Sequence, residues 1–284
     1  MIDFSTSNGR KTATSRFYTH FDGDPHFNMA FDEWMLGQAA AQPGRVLARL
    51  YTWQVGTITF GVNQRQDTLL DPAHLGRTPL IRRVTGGRAV YHDRSELTYA
   101  VAINPLGTEL EGVQGSVSKT YERLAQGLQD FLQRSGILAK LVTRSHAEDR
   151  RPRLEQTAPC FASAARHELM SEGRKVIASA QRQFKGVILQ HGAIKLNGIA
   201  AHPALSAVPG TVAEEQLQEV DKKAFERYAQ HLRVSLEGCL GVEFDTAELS
   251  DTDTKCVEEL TEWVRKNSQS RRDPIKQTCS AKSL

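Results

Sequence analysis

The 284-residue sequence has only four cysteines, Cys160, Cys239, Cys256 and Cys279, and no C-x-x-C pair. That spacing argues against a disulfide framework or a cysteine-built zinc site, so the thiols are expected to be reduced and no metal is expected. Long apolar runs are missing too. The longest uncharged stretch, 196–213, contains His202, Pro203 and Pro209 and makes a poor membrane-spanning helix. The N-terminal residues are polar, rich in Ser and Thr, and lack the apolar core of a secretory signal, so the expected location is cytoplasmic. Charge of one sign is not in excess: 36 basic residues meet 33 acidic ones, a formal net charge of +3. This argues against a dedicated nucleic-acid binder and leaves only mild steering toward acidic partners. The sequence also lacks G-x-S-x-G, G-x-x-x-x-G-K-[ST] and G-x-G-x-x-G, which sets aside a serine elbow and the common nucleotide loops.

What is present is an ordinary globular composition, 39% hydrophobic and 24% charged, long enough to bury a sizeable core. Phe27, Ala30, Phe31, Trp34 and Met35 recur at helical spacing, so 24–41 reads as a helix capped by Asp24 with Pro25 in its first turn. A strand-rich block follows at 46–53, 57–62, 80–85, 89–91 and 97–103. Val117, Tyr121, Leu124, Leu128, Phe131 and Leu132 restore the helical period over 117–135, with Gly136 as the stop. Residues 146–156 are dense in charge and are expected to form a loop. Between 161 and 195 a second strand block contains a Glu172-Gly173 hairpin turn. Helices are expected over 214–240 and 254–266. The economical organisation is a leader over 1–16, an α+β domain over 17–245, a helical extension over 246–267 and a polar tail over 268–284.

Three segments carry chemistry. In the first, Arg82-Arg83-Val84-Thr85-Gly86-Gly87-Arg88-Ala89-Val90-Tyr91-His92-Asp93, paired glycines let backbone amides approach a ligand. The flanking Arg83 and Arg88 suit carboxylate or phosphate groups. The same pattern also suits a hairpin with solvated arginines. In the second, Cys160 follows the basic loop and precedes a strand carrying Lys175. An isolated cysteine is more often a small buried hydrophobe, but a nearby ammonium favours thiolate. Simple alternation over 174–182 puts Val176, Ala178 and Ala180 on one face, and Lys175, Ile177, Ser179 and Gln181 on the other. The third is Gln190-His191-Gly192, a polar interruption of an apolar strand. A histidine there, like His92, is more often a hydrogen-bonded core residue than a catalytic one.

Together these segments resemble the biotin/lipoate protein ligase superfamily over about 17–196. Asn28-Met29-Ala30-Phe31-Asp32-Glu33 is similar to its first helix, and 49–53 with 59–64 to its first hairpin. Arg82 to Asp93 is similar to its acyl-binding glycine loop, and Lys175 falls on its active-site lysine. The resemblance implies mixed twisted β-sheets flanked by helices, with a tunnel for a medium-chain acyl group. Arg88, where ATP-dependent ligases usually have a third glycine, and Glu96-Leu97-Thr98-Tyr99 resemble the cysteine-dependent octanoyltransferases and amidotransferases. Cys160 matches their nucleophile. Ala178-Ser179-Ala180-Gln181 and His191-Gly192-Ala193 depart from the family's Gly-Ser-Ala-Gln and His-Gly-Ser by small-for-small changes.

The implied catalytic residues are therefore Cys160 and Lys175. The implied acyl-binding set is Arg83, Gly86, Gly87, Arg88, His92, Ser179, Gln181, His191 and Gly192, with no cofactor. The implied donor is octanoyl–acyl carrier protein, and the acceptors are lipoyl domains or glycine cleavage H protein. Nucleic acid and membrane are not among the implied partners. The alternatives are an amidotransferase from H protein, an ATP-dependent lipoate–protein ligase, and a non-catalytic acyl- or carrier-protein-binding module.

Overall fold

The structure, a computed structural model, describes residues 15–65, 70–106, 117–143, 167–205 and 211–270. The chain begins with β1 (Ser15–Gly23), followed by α1 (Pro25–Ala40). Asp24 starts the helix as its cap: its carboxylate accepts from the amides of His26 and Phe27, each at 3.0 Å, and Pro25 supplies a preset first turn. Next come β2 (Val46–Trp53), β3 (Thr57–Phe60), β4 (Leu80–Arg82), β5 (Val90–His92), β6 (Glu96–Ile103) and α2 (Val117–Arg134). β7 (Lys140–Thr143), β8 (His167–Ser171), β9 (Arg174–Phe184) and β10 (Val187–Lys195) follow. The chain continues through β11 (Ile199–Ala200), β12 (Thr211–Val212), α3 (Lys222–Leu240), β13 (Phe244–Thr246) and α4 (Asp251–Lys266).

Eight strands form one mixed sheet in the order β13-β1-β2-β6-β10-β9-β8-β7. β1 runs parallel to both β13 and β2, and the other pairings are antiparallel. Strand alternation gives this sheet two apolar faces. On one, Ala48, Leu50, Tyr99, Val101, Ile177 and Ile194 pack under α2 and α3. On the other, Leu47, Tyr51, Trp53, Ala100, Val187 and Leu189 pack under α1 and α4. Each fully buried Leu, Ile or Phe contributes about 1.5–3 kcal/mol, so the two layers make the sheet the structural base of the molecule. A small sheet, β4-β3-β5, stands beside the second layer around Ile58, Phe60, Leu80 and Ala89. Mixed sheets between helices are the α+β architecture expected from the sequence.

Several boundaries move. The helix expected over 214–240 starts at Lys222, because the Asp221 carboxylate caps it through Ala224 N at 2.7 Å. Ahead of it, Val220 N donates to Arg94 O, and only Glu214–Gln216 turns, as a short 3-10 segment. The last helix starts at Asp251, earlier than expected, because Ser250 caps it. The uniform alternation expected along 174–182 is broken by a bulge: Leu169 pairs with Ile177 but Met170 pairs with Lys175. Val176 and Ile177 therefore both enter the core under α2, and Lys175 is out of step with Ser179 and Gln181. Expectations for 1–14, for the basic loop around 146–156, for Cys160 and for the tail from 271 lie outside the described residues. Cys256 is disulfide-bonded, which corrects the expectation of four reduced thiols. Cys239 is free, and burial pushes its thiol up to about 12, so it is no nucleophile at neutral pH. Among the described residues no helix is long and apolar enough to cross a membrane.

Candidate active site

The paired glycines sit in the turn between β4 and β5. Gly87 has φ +86°, a conformation that favours glycine, and a Cβ there would lie 3.5 Å from the Cβ of Ala180 on β9. The loop thus overhangs the large sheet. Gly61 lies against it so closely that a Cβ at Gly61 would be 2.2 Å from the Gly87 carbonyl oxygen. Arg83, one of the expected binding residues, folds inward and also lines the cleft described below. Its Nη2 donates to the carbonyls of Gly86 (2.8 Å) and Arg88 (2.7 Å), and its Nη1 donates to Thr59 Oγ1 at 3.2 Å. Arg82 lies over the Phe60 ring and donates from Nη1 to the carbonyls of Gly61, Val62 and Gln64. Both guanidiniums are buried and hold backbone.

Each predicted histidine is the centre of a buried chain. His191 on β10 reaches Asp32 Oδ2 through Nδ1 (2.7 Å) and Thr85 Oγ1 through Nε2 (2.6 Å). Asp32, from α1, also accepts from Arg49 Nη1 (3.2 Å) and Tyr51 OH (3.1 Å). His92 on β5 reaches Glu96 Oε1 through Nδ1 (2.6 Å) and Thr59 Oγ1 through Nε2 (2.8 Å). Its ring stacks on Trp53, with centroids 4.2 Å apart. Burial holds the His92 imidazole below its ordinary range, more than the Glu96 carboxylate can offset. The Glu96 carboxylate also pairs with Lys195, whose ammonium meets Asp93 Oδ2 at 2.7 Å and the Tyr91 carbonyl at 3.0 Å. Burial alone would depress Lys195, yet these two carboxylates outweigh it and hold the amine above its usual value.

Between the glycine loop, α1 and the large sheet lies a narrow, mainly apolar cleft of about 30 Å³. Ala178, Ala180, Gly192 and Ala193 contribute to it from the sheet, Met29 from α1, Val90 from β5, with Thr59, Arg83, Thr98, His92 and His191 as its polar contacts. Gly192 has no room for a side chain: a Cβ would be 2.8 Å from both the Ala178 carbonyl oxygen and Tyr99 Cε1. Ser179 reaches the cleft while its hydroxyl is 2.7 Å from Tyr99 OH. Gln181 does not join this group; it hydrogen-bonds Gln190 on the α2 side of the sheet. Arg88 is half-buried, with its carbonyl held by Arg83. Lys175 lines a separate cavity of about 380 Å³, together with Leu138, Arg174, Val176, Lys195 and Gly198.

The glycines, His92 and His191 were visible in the sequence, whereas Asp32, Arg49, Thr59, Thr85 and Lys195 were not singled out. The signal for Asp32 was Asn28 and Asp32, one helical turn apart inside an otherwise apolar run. In the structure Asn28 accepts from Arg49 Nη2 at 2.6 Å, beside Asp32.

A narrow, mainly apolar cleft beside a glycine loop agrees with what comparison with known proteins finds. Residues 24–252 match the lipoyl protein ligase A/B catalytic domain. Octanoyltransferase LipM of Bacillus cereus is 36% identical over 175 residues, 61% of this chain and 62% of that protein, so the match spans under two thirds of that relative's length. Octanoyltransferase LipM of Staphylococcus aureus is 31% identical over 275 residues, 89% of this chain and 97% of that one. Among solved structures, the bi-partite lipoate protein ligase of Thermoplasma acidophilum has TM-score 0.62 and 17% identity, covering 88% of this chain and 92% of its own, a likeness of fold. The chain belongs to the lipoyl protein ligase A/B catalytic domain family.

Proposed function

We propose that this chain is a cytoplasmic octanoyltransferase of lipoate biosynthesis working through a thioester on Cys160. The observation that carries the reading is the narrow apolar cleft overhung by the Gly86-Gly87 loop, in a chain that resembles octanoyltransferases named LipM over most of its length. In the first step the Cys160 thiolate attacks the carbonyl of octanoyl–acyl carrier protein. The carrier's thiol leaves, and octanoyl becomes bonded to Cys160 sulfur. In the second, the amine of a lysine on a lipoyl domain or on glycine cleavage H protein attacks that carbonyl. An amide forms, the amine loses a proton and the Cys160 thiolate is released. Splitting the transfer lets two protein partners take turns at one site. Thioester to amide is downhill, so the scheme needs no nucleotide.

Lys175 supplies positive charge that favours thiolate and stabilises oxyanion charge. Met29 is the adaptable wall of the cleft: an unbranched thioether can rotate aside as a straight acyl chain enters.

The test is intact-mass analysis after mixing with octanoyl–acyl carrier protein, octanoyl–H protein, or free octanoate with ATP. An octanoyl adduct on Cys160 from the carrier protein alone is expected, absent in Cys160→Ala and slowed by roughly a hundredfold or more in Lys175→Ala. Normal transfer by Cys160→Ala would overturn the scheme. Adduct formation only from H protein would make the chain an amidotransferase, and a strict need for ATP would make it a ligase.

A further inference from the structure

The two histidine chains share one composition and end on one loop. Asp32–His191–Thr85 and Glu96–His92–Thr59 are each carboxylate, imidazole and threonine hydroxyl in series. Thr85 precedes Gly86 directly. Thr59 reaches the loop through Arg83, whose guanidinium holds the carbonyls of Gly86 and Arg88. The direction of donation follows from chemistry. Arg83 can only donate, so Thr59 accepts from it and gives its own proton to His92 Nε2. The other ring nitrogen, Nδ1, then carries the hydrogen given to Glu96. In the second chain the Asp32 carboxylate, already accepting from Arg49 and Tyr51, takes the His191 Nδ1 hydrogen and leaves Nε2 to accept from Thr85.

The consequence falls on the loop. The carbonyls of Gly86 and Arg88 are tied back, while among the described residues the amides of Gly86 and Gly87 donate to no protein acceptor. A loop with these carbonyls restrained and its amides uncommitted, beside a narrow apolar cleft, has the parts of an oxyanion hole. Such a hole works only if its donors are fixed before charge develops, because reorganisation during the reaction forfeits the stabilisation.

We propose that Thr85 and Thr59 are positioning residues: through His191 and His92 they lock the Gly86-Gly87 amides toward the thioester carbonyl for the acyl transfer. The inference rests on the transfer reading given above.

The test combines two readouts on Thr85→Val, which keeps shape but removes the hydroxyl, Thr85→Ser, which restores it, and Thr59→Val as an independent second tether. The order parameters of the 84–88 amides, from backbone nitrogen relaxation, need no activity. They are expected to fall from rigid values of about 0.85 to below about 0.6 in either valine variant and to return near wild type in Thr85→Ser, with the β10 amides unchanged. Rapid-quench intact mass with octanoyl–acyl carrier protein is expected to show the acylation rate constant falling about 30-fold in Thr85→Val, while the donor concentration at half-saturation moves less than about threefold. Unchanged loop order parameters in both valine variants overturn the proposal. So does a loss confined to half-saturation with the rate constant intact, or failure of serine to rescue. If wild type forms no acyl-enzyme at all, the transfer reading fails, and the loop order parameters alone then decide whether the tethers lock the loop.

Discussion

Asp32 and Arg49 show how a few buried side chains organise this site. Both are almost wholly enclosed, and Arg49 also lies over the Tyr51 ring at 3.9 Å. Desolvating such a pair consumes most of its attraction, so the pair stabilises little relative to an apolar substitute, but removing one member strands the other. Asp32→Asn should therefore cost about 3 kcal/mol in urea denaturation, at the lower end for a broken buried pair because the amide oxygen still accepts. Arg49→Met with Asp32→Leu should cost clearly less than the two single changes added together, and strict additivity would show that the pair is not coupled. The site was half legible in the sequence for a related reason. Glycines and histidines announce themselves locally, and the loop and both imidazoles were visible. Their partners were not: Asp32 and Thr85 lie 159 and 106 positions from His191. Only the fold makes them neighbours.

At the level of elements, local signals worked where a cap or a long period was present. Asp24 with Pro25 marked the start of α1, and the apolar spacing of Leu124, Leu128 and Phe131 marked α2. β1, β7 and β13 went unread because short or polar-alternating strands draw their identity from partners, and β1 pairs with Phe244–Thr246 more than 200 residues away. The bulge at Val176 was equally invisible, since strand period alone cannot show an extra residue. Close approach of elements is a firmer guide to function than period. β3 ends at Phe60, and Gly61 then passes under the glycine loop with no space for a methyl group. Gly61→Ala should displace the loop rather than unfold the sheets. The expected outcome is a melting temperature lowered by only a few degrees, together with at least roughly tenfold slower acyl transfer, read by thermal unfolding and the intact-mass assay on the same preparation. Unimpaired transfer would mean that the loop tolerates the shift.

Across the whole molecule the buried imidazoles set how stability follows pH. His20 is packed against Phe27 and Phe31, with ring centroids 5.0 and 4.5 Å away, and burial together with the Arg49 charge lowers it to about 2. His92 is lowered by burial as well. In the unfolded chain both return to about 6.5. Below that value the unfolded state binds protons that the folded state refuses, so stability falls as pH falls, by up to about 1.4 kcal/mol per pH unit for each such imidazole. Asp93 is held below its ordinary value by Lys195 and Ser95 hydrogen bonding despite its burial, so its contribution is lost only at more acidic pH. Lys195, raised by Glu96 and Asp93 against the effect of burial, keeps its contribution through neutrality and loses it only as pH climbs past the lysine range. The stability maximum therefore lies near neutral pH, with its acid flank set first by histidine. Urea denaturation at pH 7, 6 and 5 should show this fall, and His20→Phe, which suits the aromatic surroundings, should flatten it by about 1 kcal/mol per pH unit. An identical slope in wild type and variant would mean that the folded protein accepts a proton on His20. The aromatic layer between β1 and α1 would then be open enough to water to hold a charge.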